Sequence, residues 1–242
     1  MKNLLKVLLL LALAAYLVMA FTNLNKPDTD AVCKRVEIVV EDSARAGFIH
    51  SDEVIRILRA AKLYPQGKRM DFVDSRKIEQ ALRKNPFIEE ALCYKTAANG
   101  VRIQLSQRLP VMRIMSEDGS NYYIDNKGRV MPQLTYPADL VVATGQISPE
   151  YARKHLVGIG KFLQEDAFWN DQIVQLHVDG LGHIELIPRV GDHLVYMGPP
   201  TDFRHKLGHL KVFYDKVLNV VGWNKYSLIS LEFNNQIICK KK

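Results

Sequence analysis

The sequence predicts an α+β protein with an apolar N-terminal segment, a β-α-α-β-β unit and then a mostly antiparallel, β-rich unit carrying two helices. Three observations carry this. Residues 4–21, "LLKVLLLLALAAYLVMAF", hold a single charge, Lys6. Residues 33–107 pair strand-like alternation with two helical repeats. Residues 108–242 are dominated by short β-branched and aromatic runs separated by Gly, Asn, Asp and Pro.

A membrane-spanning helix needs roughly 17–25 apolar residues, and residues 4–21 reach that length. Lys2 and Lys6 precede most of the apolar run, which puts the N-terminus (residues 1–3) in the cytoplasm and exports the bulk of the chain. Val18 and Ala20 form a small-x-small site before Phe21, so a cleaved signal peptide is the alternative. The length of the run favours an uncleaved anchor. Residues 22–32, polar and containing Pro27, read as a linker.

In the first unit, "CKRVEIVVE" alternates around Val36, Ile38 and Val40 as a half-buried strand. "SDEVIRILRAAK" follows with Ser51 as N-cap, Asp52 and Glu53 in the first turn, and Val54, Leu58 and Ala61 on one face. "DSRKIEQALRKN" is a second helix capped by Asp74 and stopped at Asn85-Pro86. "FIEEALCYKT" and "VRIQLSQR" are strands joined through Asn99-Gly100. Two helices should cover one face of a three-stranded sheet.

In the second unit, "PVMRIMS" and the hairpin "NYYIDNKGRVMP" come first. Asp125-Asn126-Lys127-Gly128 has turn chemistry, because Gly and Asn tolerate positive φ and Asp bonds its own backbone. "DLVVATG" is a strand. Residues 148–166 are a helix with Ser148 as cap and Pro149 at its first position. Strands follow in "QIVQLHVDGLGHIELIP" and "HLVYMG". The next helix, "DFRHKLGHLKVFYDKVLN", repeats Phe203, Leu207, Leu210, Tyr214 and Val217 as an apolar stripe. "SLISLEF" and "QIICKKK" close the chain as strands, with Ile229, Leu231 and Phe233 on one face. The closing strand is expected at a sheet edge, where unpaired N–H and C=O groups can accept another chain.

Composition narrows the function classes. A hydrophobic content of 48% implies a packed core. The net charge of +7 is scattered apart from Lys240-Lys241-Lys242, which argues against nucleic-acid binding. The three cysteines form no CxxC, and His205 and His209, four apart, lack a third ligand, so no metal is expected. "GIGK" at 158–161 lacks the remainder of a phosphate-loop pattern. Ser230 and Glu232, or His177 and His183, could be invoked for hydrolysis, but each reads more simply as strand surface. No enzyme activity, cofactor or small-molecule substrate is expected. In an exported setting Cys33 and Cys93 are either a disulfide or two buried thiols.

The residues also carry a resemblance. Arg108 and Pro110 fit an R-x-P junction element. Asp125, Gly128 and Val130 fit a hydrophobic-D-x-x-G-x-hydrophobic hairpin. Pro86, Phe87 and Ala91 fit a P-aromatic-x-x-x-A segment, and "NNQIICK" fits a closing strand. Together these resemble the bacterial FtsQ/DivIB cell-division proteins over nearly the whole chain. The resemblance implies a POTRA domain at 33–107, an FtsQ-type β domain at 108–242, and a non-enzymatic, single-pass inner-membrane scaffold at the division septum. It implies binding of FtsB- and FtsL-type partners, with FtsB received by strand addition, and other division proteins recruited through the POTRA unit. By position the docking surface is Phe233, Asn234, Asn235, Gln236, Ile237, Ile238 and Cys239, with Lys211 and Tyr214 on the preceding helix. Glu232 stands where some members carry a basic residue before the aromatic, so charge pairing there is altered. A POTRA-bearing assembly or secretion factor is the alternative, but the residues after 107 cannot supply a membrane β-barrel.

Overall fold

The computed structural model describes residues 2–24, 31–41, 49–133, 139–233 and 235–242. Helix α1 runs over Lys2–Leu24. Its side chains from Leu8 to Phe21 are largely exposed, Leu9 at 68% and Phe21 at 71%. The helix is therefore where the sequence puts it. Among the described residues, however, no helix is long and apolar enough to cross a membrane, so the spanning segment expected at 4–21 is not found as one. Most of the expected linker lies outside the described residues.

Strand β1 (Arg35–Val40) is followed by α2 (Ser51–Ala60), a 3₁₀ turn at Met70–Phe72, α3 (Ser75–Arg83), β2 (Ile88–Thr96) and β3 (Gly100–Gln107). The sheet order is β1-β3-β2, with β1 parallel and β2 antiparallel to the central β3. Val54, Leu58, Ile78 and Leu82 on the helices bury against Ala91, Val101, Ile103 and Leu105. Asp74 caps α3 as expected, accepting from Lys77 N at 3.1 Å. Ser51 does not cap α2; it is the first helical residue, and His50 occupies the cap position without a side-chain bond.

The second unit contains β4 (Pro110–Ser116), β5 (Asn121–Asp125), β6 (Val130–Met131) and β7 (Val142–Gly145). Helix α4 (Pro149–Tyr151) then passes through a π turn into α5 (Val157–Glu165). Ser148 caps it by accepting from Tyr151 N at 3.1 Å. A further short helix, α6 (Ala167–Gln172), was not anticipated; Asp166 caps it, and it buries Trp169. Strands β8 (Ile173–Val178), β9 (Ile184–Pro188) and β10 (Leu194–Gly198) precede α7 (Phe203–Phe213). A second π turn leads to α8 (Asn219–Val221), then β11 (Tyr226–Ser230) and β12 (Ile238–Lys241).

All nine strands form one sheet, ordered β12-β11-β10-β9-β8-β7-β4-β5-β6. The pairs β10·β11, β4·β7 and β7·β8 are parallel, and the other five are antiparallel. Leu156, Ile159 and Leu163 from the first helical segment, and Leu207, Leu210, Tyr214 and Leu218 from the second, share one core with inward strand residues such as Ile114, Leu176, Val195 and Ile229. "GIGK" is helix α5, where Gly160 packs close to the Val111 carbonyl. A Cβ there would meet that oxygen at 3.1 Å.

Candidate protein-docking site

Strand β12 is the last strand in its sheet order and is bonded to β11 alone. The pairing is antiparallel, with Ser230 opposite Ile238, Ile229 opposite Cys239 and Leu228 opposite Lys240. Alternation decides the faces: Cys239 packs against the core, whereas Ile238 is 48% exposed and Lys240 and Lys241 face water. The free side of β12 therefore presents backbone polar groups beside an exposed isoleucine and two lysines. Among the described residues no strand pairs with that side.

The sequence placed this strand slightly early. Residues 235–237 are a turn and an irregular approach, and Asn234 lies outside the described residues. β11 stops at Ser230, so Phe233 does not continue its inward face with Ile229 and Leu231. Ile229 and Leu231 are fully buried or nearly so, but Phe233 is 50% exposed. The turn hydrogen bond from Gln236 N to Phe233 O explains the change of direction. Ile237 is half-buried and packs against the core. Asn235 and Gln236 are exposed at the turn.

A narrow crevice, too tight to admit a water molecule, runs beside this turn, lined by His205, Lys206, His209, Leu231, Phe233 and Ile237. The spacing of the two histidines allows a metal pair or, more simply, two exposed helix residues, and both are exposed. Their rings lie tilted at 53° with centroids 4.1 Å apart. Among the described residues no group of three or more His, Cys, Asp or Glu side chains could hold a metal ion. Lys206 was missed altogether, because periodicity shows only that a lysine falls near the apolar stripe. Its side chain is buried, and its Nζ donates to Met197 O at 2.8 Å and Pro199 O at 3.1 Å. Burial lowers its pKa from the usual lysine value, opposed by the charges of Asp202 and Glu232. Lys206 ties the start of α7 to the end of β10 and so fixes one wall of the crevice.

Two residues expected at the docking surface are elsewhere. Tyr214 is wholly buried, with its hydroxyl 3.0 Å from His193 Nε2 and its ring against Trp169 and Trp223. Burial raises its pKa. It lies on the apolar stripe that α7 turns to the core, so it cannot touch a partner. Lys211 is half-buried, and its ammonium sits 4.7 Å from the Phe168 ring centroid, a cation–π contact at the α6 corner.

The residues expected at the junction do meet. β3 ends at Gln107 and β4 begins at Pro110, so only Arg108 and Leu109 link the two sheets. Asp125 is fully buried and accepts from Lys127 N at 2.9 Å, Arg129 N at 2.8 Å and Arg129 Nε at 2.7 Å. Arg108 Nε lies 3.6 Å from the same carboxylate. Gly128 has φ +76°, the conformation its turn requires. Three further members were not foreseen: Glu89 on β2, which bonds Lys127 and Arg129, and those two cations themselves. Their spacing across about forty residues leaves no local signal.

Cys33 and Cys93 are both free and buried, so the disulfide alternative does not hold. β3 lies between β1, which Cys33 precedes, and β2, which carries Cys93. Two strand spacings of ~4.8 Å exceed the ~7 Å Cα reach of a disulfide. Burial raises both thiol pKa values. The histidines weighed for hydrolysis have structural partners instead: His183 Nδ1 is 2.7 Å from the Tyr196 hydroxyl, and His177 Nδ1 is 3.2 Å from Thr144 Oγ1.

Residues 109–240 match the family described as FtsQ/DivIB, C-terminal related, and residues 31–106 match the POTRA-like domain. The Cell division protein FtsQ of Geotalea daltonii (strain DSM 22248 / JCM 15807 / FRC-32) is 26% identical over 188 residues, which cover 73% of this chain and 66% of that protein. The chain thus spans just under two thirds of the length of that relative.

Proposed function

Since the chain belongs to the FtsQ/DivIB family of non-enzymatic cell-division scaffolds, we propose that it gathers septal cell-wall machinery by offering the free side of β12 to a partner of the FtsB/FtsL type. The observation that carries this reading is the place of β12 at the end of the nine-stranded order. A partner segment added there as a tenth strand would satisfy β12 backbone groups that water now solvates. Each such bond contributes about 0.5–1.5 kcal/mol net. Ile238 and Phe233, both about half exposed, supply apolar contact, and Lys240 and Lys241 favour an acidic partner.

In this reading residues 33–107 are the POTRA domain, which recruits other division proteins, and 108–242 the docking domain. The chain works in association with the bacterial inner membrane at the septum, which the apolar segment 4–21 contacts. The exposed side chains from Leu8 to Phe21 and the lysines before them support that placement.

Photocrosslinking from Phe233, Ile238 and Lys240 of the full chain in dividing cells is the direct test. A single division protein captured at all three, with crosslinking from Phe233 and Lys240 lost when Ile238→Asp is added, is the expected result. Capture from exposed positions on β6 but not from β12 would refute the docking assignment. Deleting residues 4–21 should move the protein to the soluble fraction.

A further inference from the structure

We infer that Glu89 is an ionic clasp that locks the first sheet to the second and thereby sets where the β12 edge stands. Glu89 lies on β2, in the first unit, with its side chain only 17% exposed. Every cation it meets belongs to the link or to the second unit. Lys127 Nζ is 2.5 Å from Oε1, Arg129 Nη2 bonds Oε2, and Arg108 Nε is 3.9 Å from Oε2. Burial pushes the Glu89 pKa up, but the Lys127 and Arg129 bonds outweigh it and hold the carboxyl below its ordinary range. It is therefore ionised at neutral pH.

Asp125 makes the arrangement directional. It holds the β5–β6 turn through the two backbone N–H groups and the Arg129 side chain. It also draws Arg108 and Arg129 toward the junction. Asp125 thus holds the two guanidinium groups, and one carboxylate from the other sheet meets them together with the Lys127 ammonium. One backbone and one side-chain bond flank it: Arg108 N donates to Phe87 O at 2.9 Å, and Arg108 Nη1 to Pro86 O at 3.1 Å. With a two-residue link, these bonds leave rotation about residues 108–109 as the soft motion, and Glu89 is placed to stop it.

The lever is long. β5 and β12 are seven strand positions apart in the sheet, roughly 34 Å at ~4.8 Å per strand. A hinge of about 10° at the junction would sweep β12 through several ångströms, more than a hydrogen bond tolerates. The clasp would let a protein on the first unit and one on β12 hold a fixed spacing. That consequence rests on the docking role proposed for β12, whereas the clasp itself does not.

The test is a distance distribution between spin labels at Ala60→Cys on α2 and Val220→Cys on α8, in the full chain with Cys239→Ser. Both sites are exposed, and Cys33 and Cys93 are buried. The parent should give one narrow distribution. Glu89→Gln, which keeps shape and removes charge, should widen it about twofold while far-UV circular dichroism stays unchanged. Glu90→Gln, on the exposed neighbour, should not. Lys127→Gln, which removes one of the Glu89 bonds, should widen it to a lesser degree and serves if Glu89→Gln fails to fold. A Glu89→Gln or Lys127→Gln distribution as narrow as the parent's, or equal widening by Glu90→Gln, overturns the clasp. Widening in Glu89→Gln together with no partner crosslinking from Phe233, Ile238 and Lys240 in the parent would instead count against the docking reading alone.

Discussion

The Tyr214 hydroxyl and His193 Nε2 are 3.0 Å apart in the core, joining the second long helix to the start of β10. The two rings meet edge-on at 5.6 Å between centroids, and Trp223 packs on Tyr214 at 4.8 Å. A helix stripe, a loop and a strand start therefore share one aromatic cluster close to the docking strand. Tyr214→Phe keeps the packing and strands the His193 nitrogen. It should lower unfolding free energy by about 1–3 kcal/mol in urea titration and leave partner affinity of the folded protein unchanged. A large loss of affinity without loss of stability would return Tyr214 to the surface.

His193 should make stability fall in mild acid. Burial lowers its pKa from 6.5, with the Trp223 backbone and Asp192 opposing and Lys242 adding to the drop. The folded state thus binds the proton less readily than the unfolded chain. Stability is full above pH 6.5 and is lost as pH falls from there through the lowered folded value. Glu89 acts in the same sense, but only as pH falls below its ordinary value of 4.5. Urea midpoints measured from pH 7.5 to 5 should decline, and His193→Gln should flatten that decline.

Gly128 should tolerate no side chain. With φ at +76°, an added Cβ would sit 2.7 Å from Arg153 Cγ and 3.2 Å from Val157 Cγ2. The arginine stem can swing aside; the valine and the backbone angle cannot. Gly128→Ala should cost about 1–3 kcal/mol, read as a lower thermal midpoint. Gly119→Ala, at φ +87° with nothing within 4 Å, should cost only the backbone share.

Reductant should not change the melting temperature, because the cysteines are free. Native protein should react slowly with a thiol reagent, Cys239 first, since it alone is only partly buried. Cys33 and Cys93 should react on unfolding. A drop of several degrees in dithiothreitol would reveal a disulfide.

Local patterns in the chain carried the element order well, because they depend on neighbours three or four residues apart. Asp74 and Ser148 announced their helices as caps, and both bond as read. The alternation of Val101, Ile103 and Leu105 announced β3, and all three are buried. Ser51 misled because cap preference alone does not separate the cap from the first helical residue. The α7 stripe placed Tyr214 on the apolar face; assigning it to a partner surface instead contradicted that same pattern.

The sequence by itself determined the class of fold, the two units, the turn at Asp125–Gly128 and the family resemblance, since each is written in spacing along the chain. Only the tertiary structure decided that β12 stands at the end of nine strands, that Tyr214 is core, that Lys206 walls a crevice, and that Glu89 reaches Lys127 and Arg129. Those are relations between residues far apart in sequence, and they exist only once packing has brought distant backbone and charge into contact.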